Sequence, residues 1–417
     1  MDIKAARCCF FCCIIVLLKR EGGAMLTAMR KNNEIISLLD PWEKQELLTL
    51  RVKESFSCPA CKEPVRLKLG TRKAWHFAHE RMACEIETEP ESDYHIKGKK
   101  QLFESIFRNH ATVSIEPYLK SIKQRPDLLV TSSLSPIALE FQCSTIPHDS
   151  LSRRTISYIS KGIRPVWILG GNRLKRKSFS VFSLTPMDFL TARMKEPEMI
   201  YLTYYCPISQ QLAFVYDIHT ISPSSVFASV IFEKNVSLRL STLINPSLPQ
   251  QFPYEDWLAV KRKWRLGKQF PFTNSSFFHK RFYELGMPVS LYPCEAGIPT
   301  KFDYWFETPG YLWQSWILLK LIPSYGRDEV FSFRDIYEEM KILRAKKIIK
   351  IRNLKFLKET HYSFSIADYL IKLSRLGLLE QVDGLTFKRR EKAKLPSSLE
   401  KAFACDREVL DFLYSKK

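Results

Sequence analysis

The chain has 417 residues, with 64 Lys and Arg against 44 Asp and Glu, for a formal net charge of +20. With 45% hydrophobic and 13% aromatic residues it holds enough apolar material for real cores, which excludes general disorder, and only 14 glycines exclude a collagen-like chain. So basic a chain is expected to meet a polyanion, with nucleic acid considered first and an acidic membrane surface second.

Lys4 and Arg7 precede an apolar run over residues 8–18. Lys19, Arg20 and Glu21 stand where a signal peptide needs small residues. The run is also shorter than the roughly 20 residues that span a bilayer. Arg20-Glu21-Gly22-Gly23 can be encoded by a purine-rich stretch resembling a ribosome-binding site, at a suitable distance from Met25. Met25 is therefore the expected start, and residues 1–24 read as an upstream extension; a weak membrane-associating tail is the alternative. The remainder still carries +18. The 11 cysteines form one knot at Cys8, Cys9, Cys12 and Cys13, a second group at Cys58, Cys61 and Cys84, and four isolated positions. That distribution points to a reducing cytoplasm and one metal-type cluster.

Residues 25–88 read as a small N-terminal module. Its opening is polar and amphipathic, with Leu38, Leu39, Leu47, Leu48 and Leu50. Cys58-Pro59-Ala60-Cys61 is a knuckle that brings two thiolates to one side of a tight turn. His76, His79 and Cys84 follow, and two of these three are expected to complete a tetrahedron around Zn²⁺, His79 and Cys84 before His76. The spacing His76-x2-His79 is tighter than the usual zinc-finger pair. Such a zinc would be structural, because a module this small cannot bury enough surface alone. An aromatic-rich domain with unmetallated thiols is the alternative.

After an acidic connector over 85–91, residues 89–171 follow a clear pattern. Pro90 can open a helix with Leu102, Phe103, Ile106 and Phe107 on its apolar face. Short β-rich runs cover 112–119, 127–130 and 137–142, separated by loops with Pro126 and Pro136. A helix over 148–161 ends at Gly162, and 165–169 is an apolar strand. The order helix, strand, strand, strand, helix, strand implies a mixed α/β sheet.

Asp127 opens the second strand and Glu140 closes the third, 13 positions on, so a hairpin can bring them side by side. Glu140 and Gln142 share a strand face, with Phe141 on the other. Two carboxylates and a polar partner at one sheet edge suit Mg²⁺ or Mn²⁺, which can activate water and neutralise charge building on a phosphate. Glu91, His95 and Lys99 lie four apart on the preceding helix, and Arg154 and Tyr158 four apart on the following one. Glu91 is a candidate extra ligand. His95 and Lys99 could contact phosphate or transfer protons, and Arg154 could hold a phosphate.

Residues 172–310 form a poorly defined extension with strand-like runs at 179–184 and 225–232. It is interrupted by the basic stretch Lys261-Arg262-Lys263-Trp264-Arg265, where Trp264 could stack on a base of single-stranded DNA. Further basic runs are Lys175-Arg176-Lys177, residues 344–358 and Lys388-Arg389-Arg390. Residues 311–417 turn mainly helical. A helix over 366–376, Gly377-Leu378-Leu379 and a hairpin turn at Asp383-Gly384 resemble the end of a winged helix; an ordinary helical bundle with a tail is the alternative.

Taken together, Cys58-Pro-Ala-Cys61, His76-Phe-Ala-His79, Glu91-Ser-Asp-Tyr-His95, Arg125-Pro-Asp127, Glu140-Phe-Gln142, Arg154-x3-Tyr158 and the strand from Pro165 to Gly170 resemble the competence protein CoiA family. The match is good over residues 25–171 and only by layout beyond. The resemblance implies a cytoplasmic bacterial factor that acts on internalised DNA in transformation, with recombination proteins as partners. It also implies a restriction-endonuclease-like PD-(D/E)xK core, with Asp127 and Glu140 as metal carboxylates. Gln142 replaces the usual Lys, and Lys99 is the expected compensation. Two functions follow: a metal-dependent DNA nuclease, or a DNA-binding recombination mediator with a vestigial nuclease fold. A membrane-attached scaffold is a third, weaker reading.

Overall fold

The computed structural model describes residues 24–71, 73–80, 92–108, 112–131, 134–234, 239–250, 252–267 and 275–415. The expectations for the start codon, Cys84 and Glu91 rest on residues outside that set. The chain forms two compact units. The smaller comprises the described residues through Ile96 together with Tyr118–Arg125, and the larger the rest.

In the smaller unit the elements are β1 (Thr27–Met29), β2 (Ile35–Ser37), α1 (Lys44–Lys53), β3 (Phe56–Ser57), β4 (Pro64–Lys68) and β5 (His76–His79). The strands form one antiparallel sheet in the order β2-β1-β3-β4-β5. Strand β4 alternates exposed and buried residues, as a sheet with one wet face requires. The leucine-rich opening is thus a hairpin and a short helix, and α1 buries Leu47 alone. Met25 is buried and pairs with Phe77.

The larger unit is built on helix α2 (Asp93–Arg108) from Lys97 onward, then β6 (Val113–Ile115), β7 (Leu128–Val130), β8 (Ile137–Gln142), α3 (His148–Ile159) and β9 (Arg164–Gly170). This is the expected order of helix, three strands, helix and strand. Strands β6, β7 and β8 form an antiparallel meander, and β9 returns parallel to β8. Strand β8 is buried along its whole length, so Glu140 and Gln142 are polar exceptions in an apolar run. Helix α3 stops at Gly162, whose φ of +69° a side chain would strain, while the Ile163 N–H bonds back to Tyr158.

The sheet does not end at residue 171, which corrects the domain limit expected there. It continues through β10 (Lys175–Ser178), β11 (Val181–Ser183), helix α4 (Pro186–Leu190), β12 (Arg193–Glu196), β13 (Met199–Cys206), β14 (Gln211–Ser222) and β15 (Ser225–Lys234). Strand β13 pairs parallel to β9, giving the order β10-β11-β15-β14-β13-β9-β8-β7-β6, with β12 beside β13. One core lies between this sheet, α3 and α4, around Leu151, Trp167, Leu169, Phe189, Leu202 and Val215.

Helices α5 (Leu240–Ile244), α6 (Tyr254–Arg265), α7 (Ser275–Glu284) and α8 (Gly310–Trp316) follow, then β16 (Val330–Ser332), α9 (Phe333–Ala345), α10 (Tyr362–Arg375), β17 (Leu379–Asp383), β18 (Thr386–Arg389) and α11 (Leu399–Tyr414). Ser332 caps α9 through a reciprocal pair with Asp335. Strands β16, β18 and β17 form a three-stranded sheet. The second core gathers Trp257, Trp313, Ile366, Tyr369, Leu370 and Leu410. Among the described residues no helix is long and apolar enough to cross a membrane.

Candidate functional site

Strands β7 and β8 pair with Leu128 opposite Leu139, so the next rung sets Asp127 beside Glu140, as the hairpin spacing predicts. Asp127 Oδ2 accepts the Phe141 N–H at 2.8 Å. Phe141 turns away from the two acids and packs under α2. A Cβ at Gly98 would meet the Phe141 ring at 2.1 Å, so only glycine lets the helix approach this closely. That approach sets the next residue, Lys99, into the site. Lys99 Nζ lies 3.3 Å from Asp127 Oδ1 and 2.6 Å from Glu116 Oε1, with the Lys99 and Glu116 side chains 0% and 1% exposed.

Glu140 is held from the other helix. Arg154 Nη2 donates to Oε2 at 2.6 Å and the Tyr158 hydroxyl donates to Oε1. The four-residue spacing on α3 presents both groups to one carboxylate. The Arg154 guanidinium also lies over the Trp167 ring at 5.2 Å, and Trp167 is the β9 partner of Glu140 in register. Burial raises the Glu140 pKa above the ordinary carboxylate value; Arg154 opposes that shift and Asp127 adds to it. Burial pulls Arg154 down, but Glu140, Tyr158 and Asp127 outweigh it and keep the guanidinium charged. Burial and Glu140 together push the Tyr158 hydroxyl up, so it stays a donor. Gln142 Nε2 donates to the Ser144 carbonyl at 3.1 Å and its hydroxyl at 3.2 Å.

Carboxylate oxygens have two lone pairs each, so the bonds named leave acceptor capacity on both acids. Two such acids are a hard-oxygen donor set that fits Mg²⁺ or Mn²⁺. His95 is half-buried on α2, one turn before Lys99, and its N–H donates to Ser92 Oγ at 3.3 Å.

Sequence patterns missed Glu116. It follows β6 with φ +48°, an uncommon conformation for a non-glycine residue, and its N–H bonds to the Asp127 carbonyl at 3.0 Å. The only local trace is an acid before Pro117 at the end of a β run.

In the smaller unit, Cys58 Sγ, Cys61 Sγ and a ring nitrogen of His79 all lie within 4.8 Å of one another. The knuckle is built by the turn after β3: Lys62 takes φ +65° and bonds back to Cys58, whose own N–H reaches Glu63. Cys61 Sγ is 3.2 Å from His79 Nε2. Two thiols and an imidazole at such separations fit a tetrahedral soft-metal site. His76 is corrected as a ligand. Three residues from His79 on one strand, it faces the opposite side, and its Nδ1 bonds to the Ala74 carbonyl at 2.8 Å. Burial and the charge of Arg125 lower the His79 pKa, against a smaller opposing pull from Glu63, which favours the neutral ring a metal needs.

The expected DNA contacts divide. Lys261, Trp264 and Arg265 are buried, so none of the three can touch a strand. Arg265 makes two bonds of 2.6 Å to Asp406, Lys261 Nζ lies 2.9 Å from the same carboxylate, and Trp264 packs on Trp257 and Tyr311. Arg262 and Lys263 alone of that stretch reach the surface. Tyr158 is fully buried and acts on Glu140, whereas Arg154 keeps an 18% exposed side chain.

Three family models match successive parts of the chain. The family described as "Competence protein CoiA, nuclease-like domain" matches residues 91–248, its N-terminal domain matches 39–87, and its C-terminal domain matches 252–403. The "Competence protein CoiA" of Bacillus subtilis (strain 168) is 30% identical over 355 residues, covering 82% of this chain and 91% of that protein. No solved structure matches the chain.

Proposed function

The chain belongs to the competence protein CoiA family, and on that premise we propose that it is a metal-dependent DNA nuclease acting on internalised DNA during transformation. Its αβββαβ core is of the restriction-endonuclease-like type, and its C-terminal part is a winged helix. The strand order β16-β18-β17 around α9 and α10 supports the second assignment. The carrying observation for the first is Lys99 Nζ at 3.3 Å from Asp127 Oδ1, a cation at the place where Gln142 supplies none.

Asp127 and Glu140 would hold Mg²⁺ or Mn²⁺, which supplies an activated water and neutralises phosphate charge. The protein's own groups do the rest. Glu116 grips the Lys99 ammonium and so aims it at Asp127. Gln142, anchored by Ser144, orients water with its amide. Tyr158 and Arg154 fix the Glu140 carboxylate, and Arg154 extends its exposed edge toward a phosphate. The Cys58, Cys61 and His79 cluster would hold a structural zinc. The strand is proposed to be single-stranded, the compartment cytoplasmic, and the protein partners other recombination factors.

One observation favours a second reading, a mediator that binds DNA without cutting it: both Glu140 oxygens already receive donors from Arg154 and Tyr158. Incubation of the purified chain with single- and double-stranded DNA plus Mg²⁺ or Mn²⁺ separates the two. Cleavage that disappears in Asp127→Ala and Glu140→Ala is expected. Binding without cleavage under any metal would leave the mediator reading.

A further inference from the structure

The winged-helix part poses a problem for DNA binding in its usual form. The helix in the groove-reading position, α10, exposes only Phe364 and Arg375 along its length, so it cannot lie in a major groove. The cations have gone elsewhere. The loop between α9 and α10 and the end of α9 line a cavity of about 550 Å³ with residues 305 and 307. Its wall carries Arg344, Lys347, Lys350 and Lys355 against the single carboxylate of Glu307. A fifth cation, Arg352, is spent inside, donating to the carbonyls of Tyr304 and Phe306 and to Thr220.

This cavity is built rather than fortuitous. The Arg352 N–H donates to the Trp305 carbonyl at 2.8 Å, the Glu307 N–H to the Lys350 carbonyl at 2.9 Å, and the Lys350 N–H to Thr308 Oγ1 at 2.9 Å. The loop is therefore stitched to residues 305–308 like a short extra strand. Trp305 stands at the cavity wall, half-buried, its Nε1 bonded to Thr360 Oγ1 at 3.0 Å so that the indole is held in one plane. His361 lies beside it, with ring centroids 6.3 Å apart. Surface cations around a fixed, partly exposed indole are the two elements that single-strand binders combine: charge for phosphates and an aromatic face for a base.

We propose that this cavity between the α9–α10 loop and Trp305 is a second nucleic-acid site, binding a phosphate-linked nucleotide of single-stranded DNA with its base on Trp305. It rests on the reading that the protein handles DNA, and it does not depend on hydrolysis.

Binding of a labelled thymidine oligonucleotide to the full chain is measured over a salt series without added Mg²⁺ or Mn²⁺ and without chelator, so that the proposed zinc stays in place. Lys347→Gln with Lys355→Gln, both at exposed positions, is expected to weaken binding and flatten the salt dependence by roughly 0.7 per lysine in logarithmic slope. Trp305→Ala is expected to weaken it about tenfold at unchanged slope, with Trp305→Tyr restoring part. Unchanged affinity in both the lysine and the Trp305 variants overturns the proposal. So does displacement of the oligonucleotide from wild type by duplex competitor as effectively as by unlabelled single strand, since a duplex hides its base faces. Free dTMP as competitor distinguishes the source: weak competition supports a strand site, whereas dTMP binding lost in the variants with oligonucleotide binding intact overturns it. A wild type that cuts nothing with Mg²⁺ yet loses affinity through these variants sinks the nuclease and supports this site.

Discussion

The two candidate metal centres differ in how their charges are balanced. At the sheet edge, Asp127, Glu116 and Glu140 meet Lys99, Arg154 and the Tyr158 hydroxyl, so the carboxylates are compensated by the protein itself. In the smaller unit, Cys58, Cys61 and His79 turn three lone-pair donors toward one point. Deprotonated, as a metal ligand must be, such a pair of thiolates repels itself unless a cation sits among it. The difference predicts that the first centre keeps its fold without metal, whereas the second would need the proposed zinc to hold its fold. The same self-compensation recurs elsewhere in the larger unit, at Arg265 with Asp406 and at His219 between Asp303 and Asp217.

The strongest way to break the comparison is to remove the proposed zinc. Chelation or Cys58→Ser should unfold the sheet of β1 to β5 while the larger sheet survives. Limited proteolysis read by mass spectrometry, alongside metal content, checks this; a metal-free wild type with a protected N-terminal sheet would refute it. Next in size, Asp127→Ala should lower cleavage by roughly 10²-fold or more, through lost stabilisation of transition-state charge. Fluorescence-monitored cleavage with Mn²⁺ is the readout.

Self-compensation is tested directly by stranding a charge. Asp406→Ala leaves Arg265 and Lys261 buried without their carboxylate and should cost about 3–5 kcal/mol in urea unfolding. Glu140→Ala should cost somewhat less, because Arg154 can turn to water. The smallest effect is in pH. Burial pulls His219 down, but Asp303 and Asp217 outweigh it and raise its pKa from 6.5 to about 10. A raised folded pKa means that its contribution is fully present below 6.5 and is lost as pH rises through about 10. The stability advantage of wild type over His219→Gln should therefore shrink across that window, measured by chemical denaturation at several pH values. A constant difference would show that the imidazole is neutral there.

Much of this was legible locally. Strand alternation, Gly162 and the Cys58-Pro-Ala-Cys61 knuckle each report on a few neighbouring residues, so helix, three strands, helix and strand could be read in order, with Asp127 facing Glu140. The same local rule already implied that His76 and His79, three apart on a strand, cannot face one metal; it needed only the knowledge that they lie on a strand rather than a turn.

What a charge does depends on its partner, and partners are far away in sequence. Arg265 meets a carboxylate 141 positions on, and Lys99 one that is 17 away. Nothing in the run Lys261-Arg262-Lys263-Trp264-Arg265 distinguishes a solvated face from a buried ion-pair network, since composition is the same in both. The sequence alone determined the element order, the pair of acids and the thiolate knuckle, because these follow from steric periodicity and turn geometry over short spans. Tertiary structure alone decided that the sheet runs on through β13, that Glu116 aims Lys99, and which basic residues reach solvent, because burial and charge pairing are settled only when distant segments pack.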